Sequence, residues 1–237
     1  AMVRQAVGRD TLAMLLWATV PLPAARHSLR NMLSQLRAVA GDLLEINLQT
    51  VALAATPRQQ VDAVVFQQRL AAMQQSASPD LAVWQTTLDL YRGDFLAGFY
   101  VHQSQPFEDW TTQCRESLRQ QFLTNLLALS DAYAASGAIG LALACLDRLL
   151  AIEPENEAAY SQQIQLLLRL GRRTEALQCY ERYRKMLMAE FNLQPAPALT
   201  ALLSEWRFQS SEASIVAQAN AVVEMKPTGT SDDAPPH

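Results

Sequence analysis

The sequence predicts a mainly α-helical chain in two parts: a short helix, a bend, a basic helix and a β-hairpin, followed by a bundle of paired helices. Three observations predict it. Residues 24–53, "AARHSLRNMLSQLRAVAGDLLEINLQTVAL", place a basic amphipathic stretch ahead of two β-leaning runs. From Val61 to about Gln209 apolar residues recur at helical spacing, and Gly and Pro punctuate the gaps between periodic runs. Two segments of that region also superimpose at an offset of 34 residues. With 50% hydrophobic residues in a chain of 237, a buried core is expected and disorder is not the default.

The first part reads element by element. Asp10-Thr11 is expected to cap a short helix, "LAMLLW", and "ATVPLP" to form the bend after it. The next helix spans residues 24–40. At 100° per residue Arg26, Arg30 and Arg37 fall within about 40° of one another. Ala25, Leu29, Met32, Leu33, Leu36 and Val39 share one arc, the expected buried face. His27, Asn31 and Ser34 lie on the open side, as a polar ridge bordered by the arginines. Gly41 is expected to end the helix, and residues 43–54 to form a hairpin around Gln49-Thr50. Helix, bend, helix and hairpin is the order of a winged helix-turn-helix, expected to be truncated here because only "AMVRQAVGR" precedes Asp10 and no sheet is expected there. Two readings of the basic helix stay open. It is a solvated face of an ordinary helix, or it is a reader of duplex DNA whose ridge enters the major groove while the arginines meet phosphates.

In the second part Ser78-Pro79 reads as an N-cap followed by Pro at the first helical position. Helices are expected at about 61–75, 80–91, 107–136, 138–151, 155–170, 172–190 and 197–209. "YAASGAIGLALACLDRLLAIEP" (133–154) and "LLRLGRRTEALQCYERYRKMLM" (167–188) match Gly137 to Gly171, Ala142 to Ala176, Cys145 to Cys179 and Leu146 to Tyr180. A 34-residue period with small residues at a helix crossing is the tetratricopeptide pattern, an architecture that offers interaction surfaces without naming a ligand. From Ser210 onward the periodicity is lost and the chain reads as a linker or frayed end, with Ile215–Met225 apolar enough for a short helix. The expected organisation is therefore a winged helix-turn-helix over residues 1–58, a helical region over 59–209 and a tail over 210–237.

Net charge is −4, distributed unevenly. Up to residue 60, six arginines (Arg4, Arg9, Arg26, Arg30, Arg37, Arg58) face three carboxylates (Asp10, Asp42, Glu45), a balance of +3 that leaves −7 for the remainder. Any nucleic-acid contact is expected in the basic end. The longest apolar run, Leu12–Leu22, is broken by Pro21 and falls short of the roughly 20 residues a bilayer requires, so no membrane partner is expected. The start does not read as a signal peptide, and a cytoplasmic location is expected. Cys114, Cys145 and Cys179, spaced by 31 and 34, fit neither a zinc cluster nor a redox pair and read as buried reduced thiols. His27, His102 and His237 sit at no metal-ligand spacing, so no metal, no cofactor and no enzymatic activity is expected.

Several motifs of the helical part have structural readings. "LYRGDFLAGFY" lacks the Lys and Ser or Thr of a nucleotide loop. Its glycines are expected to permit a tight turn, with Asp94 capping backbone amides and Phe95, Leu96 and Phe99 plugging the bundle. Phe107 and Trp110 read as a core anchor of the long helix. Glu153, Glu155 and Glu157 surround Pro154 at a helix start, where carboxylates meet the helix dipole favourably. Arg172, Arg173, Arg182, Arg184 and Lys185 form a local basic cluster, a solvated surface or a seat for an acidic partner.

Residues 9–66 resemble the winged helix of SARP-type bacterial transcriptional activators through "RDTLAMLLW", "ARHSLRNMLSQLR", "GDLLEINLQTVAL" and "VDAVVF". Residues 61 to about 208 resemble the bacterial transcriptional activator domain that follows it in that family, through "LYRGDFLAGF", "FEDW", "RESLRQQFL", "GRRTEALQCYERYRKML" and "NLQPAPAL". The resemblance implies a winged helix-turn-helix followed by a tetratricopeptide-like bundle, and a role in transcriptional control. It implies DNA binding through the helix 24–40 and the wing 43–54, with Arg26, His27, Arg30, Asn31, Ser34 and Arg37 as the contacting residues. It further implies that the helical domain serves dimerisation or contact with RNA polymerase or a regulatory domain. Gln35, Ala38, Val39 and Leu48 stand where the family tends to carry basic residues, and each lost phosphate contact lowers the salt slope of binding by about 0.9. The alternative left open is an interaction scaffold with a degenerate winged helix that binds no DNA.

Overall fold

The computed structural model describes residues 6–54, 61–76 and 79–203. The chain divides into two compact units, Ala1–Ile152 and Glu153–His237.

The first unit begins with β1 (Val7–Gly8), α1 (Arg9–Leu16) and α2 (Leu22–Ala40). A 3₁₀ turn at Gly41–Leu43 leads to β2 (Leu44–Ile46) and β3 (Thr50–Leu53). The expected hairpin is present, with Leu44 opposite Leu53 and Ile46 opposite Val51. It is also larger than expected. Val7 and Gly8 pair antiparallel with Val51 and Thr50, making a three-stranded sheet in the order β1-β3-β2 where no strand was anticipated ahead of α1. Because Gly8 is drawn into that sheet, the chain enters α1 directly at Arg9, whose amide donates to the Gln49 carbonyl at 2.8 Å. Asp10 therefore lies inside the first turn and caps nothing, which corrects the expected Asp10-Thr11 cap.

α2 buries Ala25, Leu29 and Leu33 against Ala13 and Val51, with Leu12, Trp17, Leu22, Met32 and Ile46 packed around them. Each large side chain buried here contributes roughly 1.5–3 kcal/mol relative to exposure. Ala13 and Ala25 are completely inaccessible, so α1 and α2 approach closely through their small residues. The apolar arc read from the sequence is too long, however. Leu36 is 39% and Val39 88% exposed, because the last turns of α2 extend past what α1 and the short sheet can cover.

α3 (Asp62–Gln74), α4 (Leu81–Leu88), α5 (Gln105–Ala135) and α6 (Ile139–Ile152) complete the unit. The N-cap of α4 is Asp80, which accepts from the amides of Ala82 and Val83, rather than the expected Ser78, which lies outside the described residues. At the start of α5 the Ser104 hydroxyl donates to the Leu15 carbonyl, tying the end of α1 to the helical region. The segment between α4 and α5 is fixed by arginines. Arg115 donates to the carbonyls of Phe95 and Leu96, and Arg148 to those of Leu88 and Tyr91 and to the Asp89 carboxylate. Tyr91 stacks on Phe122 with centroids 4.3 Å apart. The anticipated plugs are mostly outside: Phe95 is half-buried against Trp110, whereas Leu96 and Phe99 are exposed. Asp94 accepts from the Tyr91 hydroxyl rather than from backbone amides. Phe107 is buried and Trp110 half-buried beside it, as an anchor requires.

The second unit contains α7 (Glu157–Arg169) and α8 (Arg173–Phe191), followed by a helical stretch at 197–203 whose Leu199 and Leu203 are buried. Tyr160 and Tyr183 stack at 4.4 Å, and the Tyr183 hydroxyl donates to Glu157 at 2.9 Å. Burial, reinforced by that hydrogen bond, pushes the Tyr183 hydroxyl well above the usual tyrosine range. Asn192, in the left-handed region at φ 54°, closes α8, and the Leu193 amide reaches back to the Leu187 carbonyl. The 34-residue period is written into the backbone of both units. Ala138 N–H donates to Tyr133 O and Arg172 N–H to Leu167 O, each at 2.9 Å. The turns need Gly137 and Gly171 at φ 83° and 70°, a conformation side chains disfavour. The matching Ala142, Ala176, Cys145 and Cys179 are all buried, whereas Cys114, also expected to be buried, is only half-buried. The expected basic cluster is partly neutralised, since Arg172 pairs with Glu175 and Arg184 with Glu181. The tail from Ser210, including Ile215–Met225, lies outside the described residues.

Candidate nucleic-acid interface

All six candidate residues lie on α2, and the helix presents them together. His27, Asn31 and Ser34 are exposed along one ridge, and Arg26, Arg30 and Arg37 are exposed along its border. The cause is the buried seam beneath. With Ala25, Leu29 and Leu33 locked against α1 and β3, rotation of α2 is fixed and the opposite face must point to solvent.

Within the ridge, the Asn31 side-chain amide lies 3.2 Å from the His27 ring nitrogen. One turn apart, these two side chains order one another before any ligand arrives, and both keep further donor or acceptor capacity.

The three arginines are not equivalent. Arg26 forms a two-pronged pair with Asp10, Nε to Oδ1 at 2.7 Å and a terminal nitrogen to Oδ2 at 2.6 Å. The hydrogen bond holds the Asp10 carboxyl below the usual carboxylate range and Arg26 above its own. Both side chains are about half exposed (51% and 56%), so water screens the pair, and it restrains Arg26 without sequestering it. Arg30 and Arg37 carry no ion pair among the described residues.

The hairpin stands beside the N-terminal half of α2. Its tip is an Asn47-centred turn: the Asn47 side-chain oxygen accepts from the amides of Gln49 and Thr50 at 2.9 and 2.7 Å, while its amide donates to the Thr50 hydroxyl. The turn therefore sits one to two residues before the expected Gln49-Thr50. Leu48 at the tip is 93% exposed. Residues 43–54 contain one acid, Glu45, and no base.

A functional candidate that sequence reasoning missed is Arg9. Its guanidinium donates to the Asn47 carbonyl at 3.3 Å, placing a cation at the wing tip from 38 positions away in the chain. The sequence signal was its place in the basic end, but only the pairing of β1 with β3 brings it to the hairpin.

Among the described residues no group of acids, histidines or cysteines is arranged to hold a metal ion. No described helix is long and apolar enough to cross a membrane.

Comparison with known proteins adds the following. The family "Bacterial transcriptional activator domain" matches residues 61–207. Among solved structures, Mycobacterium tuberculosis EmbR, in complex with a low-affinity phosphopeptide, is similar with a TM-score of 0.62 and 23% sequence identity. The likeness covers 94% of this chain and 62% of EmbR, so the chain spans less than two thirds of that protein's length. At that identity the likeness is one of fold. A search of the curated proteins gave no significant match. The resemblance to SARP-type activators drawn from the sequence is thus borne out in family and in fold.

Proposed function

The chain belongs to the bacterial transcriptional activator domain family, and from that premise we propose that this SARP-type regulator binds duplex DNA through α2 and the hairpin. The observation that carries the reading is the division of α2 into a locked apolar seam and an exposed polar ridge. The ridge enters the major groove, with His27, Asn31 and Ser34 toward base edges. Arg30 and Arg37 meet phosphates, and Arg26 does so where the strand draws it from Asp10. In this reading residues 1–58 are the DNA-binding domain and 59–209 the activator domain, which contacts a second copy, RNA polymerase or a regulatory domain. The protein acts in the cytoplasm.

A second reading has its own support. The wing carries Glu45 and no base, and one of the three arginines is already paired, which suits a scaffold whose winged helix only packs.

Binding of a labelled random-sequence duplex by fluorescence anisotropy, as salt is raised, separates the two. The DNA reading expects log K to fall linearly with log salt at a slope of about −2 or steeper, at about −0.9 for each phosphate met by Arg30, Arg37 and their neighbours. Absent binding, or binding indifferent to salt, overturns the DNA reading and favours the scaffold.

A further inference from the structure

Between the start of α1, the first turns of α2 and the wing tip lies an open cleft of about 390 Å³. Arg9, Asp10, Arg26 and Arg30 line it, with Leu48 and Gln49 on the wing side. Arg9 opens α1 whereas Arg26 and Arg30 sit one turn apart on α2, and their convergence depends on the pairing of Val7–Gly8 with β3 and on the packing of α2 against α1.

The charges do not cancel. Asp10 spends both oxygens on Arg26, so that pair is close to neutral as seen from the cleft. Arg9 bonds only to a neutral carbonyl, Asn47 O, and Arg30 has no ion pair among the described residues. Two uncompensated guanidiniums thus flank a concavity that opens beside the polar ridge. Like charges lining one cleft repel, and an anion between them relieves that repulsion.

We infer that this cleft seats one backbone phosphate of duplex DNA, held jointly by Arg9 and Arg30, with the Arg26–Asp10 pair bordering it. The inference rests on the DNA-binding reading and deepens it. Arg9 supplies the wing's missing cation, and the phosphate so held sets the register in which His27, Asn31 and Ser34 meet the base edges. Asp10 has a part in this. By engaging Arg26 it leaves the seat with two cations free to share one phosphodiester.

The test compares the salt slope of random-duplex binding for the full chain and for the double variant Arg9→Gln/Arg30→Gln, over roughly 50 to 200 mM salt. One shared phosphate predicts that the double variant's slope is shallower by about 0.9, whereas two separate contacts would remove about 1.8. Arg9→Lys, which keeps the charge, retains the full slope. Arg30→Gln alone alters an exposed side chain and keeps the test valid if the double variant does not fold: it weakens binding several-fold at low salt. A salt-dependent wild type whose slope and affinity are unmoved by these variants, or a loss of about 1.8, overturns the seat and leaves the DNA reading standing. A wild type that shows no salt-dependent binding overturns both.

Discussion

Leu29→Ala is expected to destabilise the winged helix by about 2–5 kcal/mol and to abolish duplex binding with it. Leu29 is 1% exposed at the centre of a cluster whose other members include Ala13 and Ala25, both at 0%. Alanines at a helix crossing have no side chain left to move, so the cavity cannot be filled from α1. Val51 belongs to β3, which is held on both edges by β1 and β2 and has little freedom to follow. α1 has eight residues, below the roughly 12–15 at which an isolated helix becomes even marginal, so it exists by virtue of its packing. Urea unfolding followed by circular dichroism checks the prediction, with anisotropy for binding. A shift within about 0.5 kcal/mol, the range of an ordinary surface substitution, would mean that Leu29 does not hold the face in place.

Phe122→Ala is expected to cost about 3–5 kcal/mol through a different mechanism. Phe122 is inaccessible, stacks on Tyr91 at 4.3 Å, and lies under the Arg148 guanidinium at 4.8 Å from its centroid. Arg148 in turn holds the carbonyls of Leu88 and Tyr91, so the ring supports the device that closes α4 and starts the following loop. Its loss leaves a cavity and removes the surface against which the guanidinium is flat. Amide hydrogen exchange is expected to rise selectively over residues 88–100 in this variant. Unchanged protection there, with an unchanged unfolding midpoint, would show that Arg148 and Tyr91 are positioned without the ring.

The predictions differ in how far they were foreseeable. Leu29 was legible, because periodicity places Ala25, Leu29 and Leu33 on one arc and nothing in the chain competes for it. The 34-residue repeat was legible for a similar reason: Gly137 and Gly171 mark turns that need a left-handed residue, and local backbone chemistry repeats with them. Leu36 and Val39 were misread because a wheel gives the direction of a side chain but not the length of the partner opposite. Arg148, Arg115 and Arg119 were invisible. The backbone carbonyls they hold lie 57–60, 19–20 and, for Arg119 on Ile152, 33 positions away, and a carbonyl leaves no trace in sequence. The site was divided in the same way. The ridge followed from local periodicity, whereas the Asp10 pair and Arg9's approach to the wing depended on Gly8 joining the sheet, a two-residue pairing too short to read.

Base reading by the ridge of α2, as proposed, is checked by selecting bound sequences from a random duplex pool with the wild type and with Asn31→Ala. The wild type is expected to enrich a defined motif, and Asn31→Ala to lose preference at one base pair, worth about 1–3 kcal/mol, while its salt slope is unchanged. A wild type that enriches nothing, or a variant that enriches the same motif with the same strength, would contradict it.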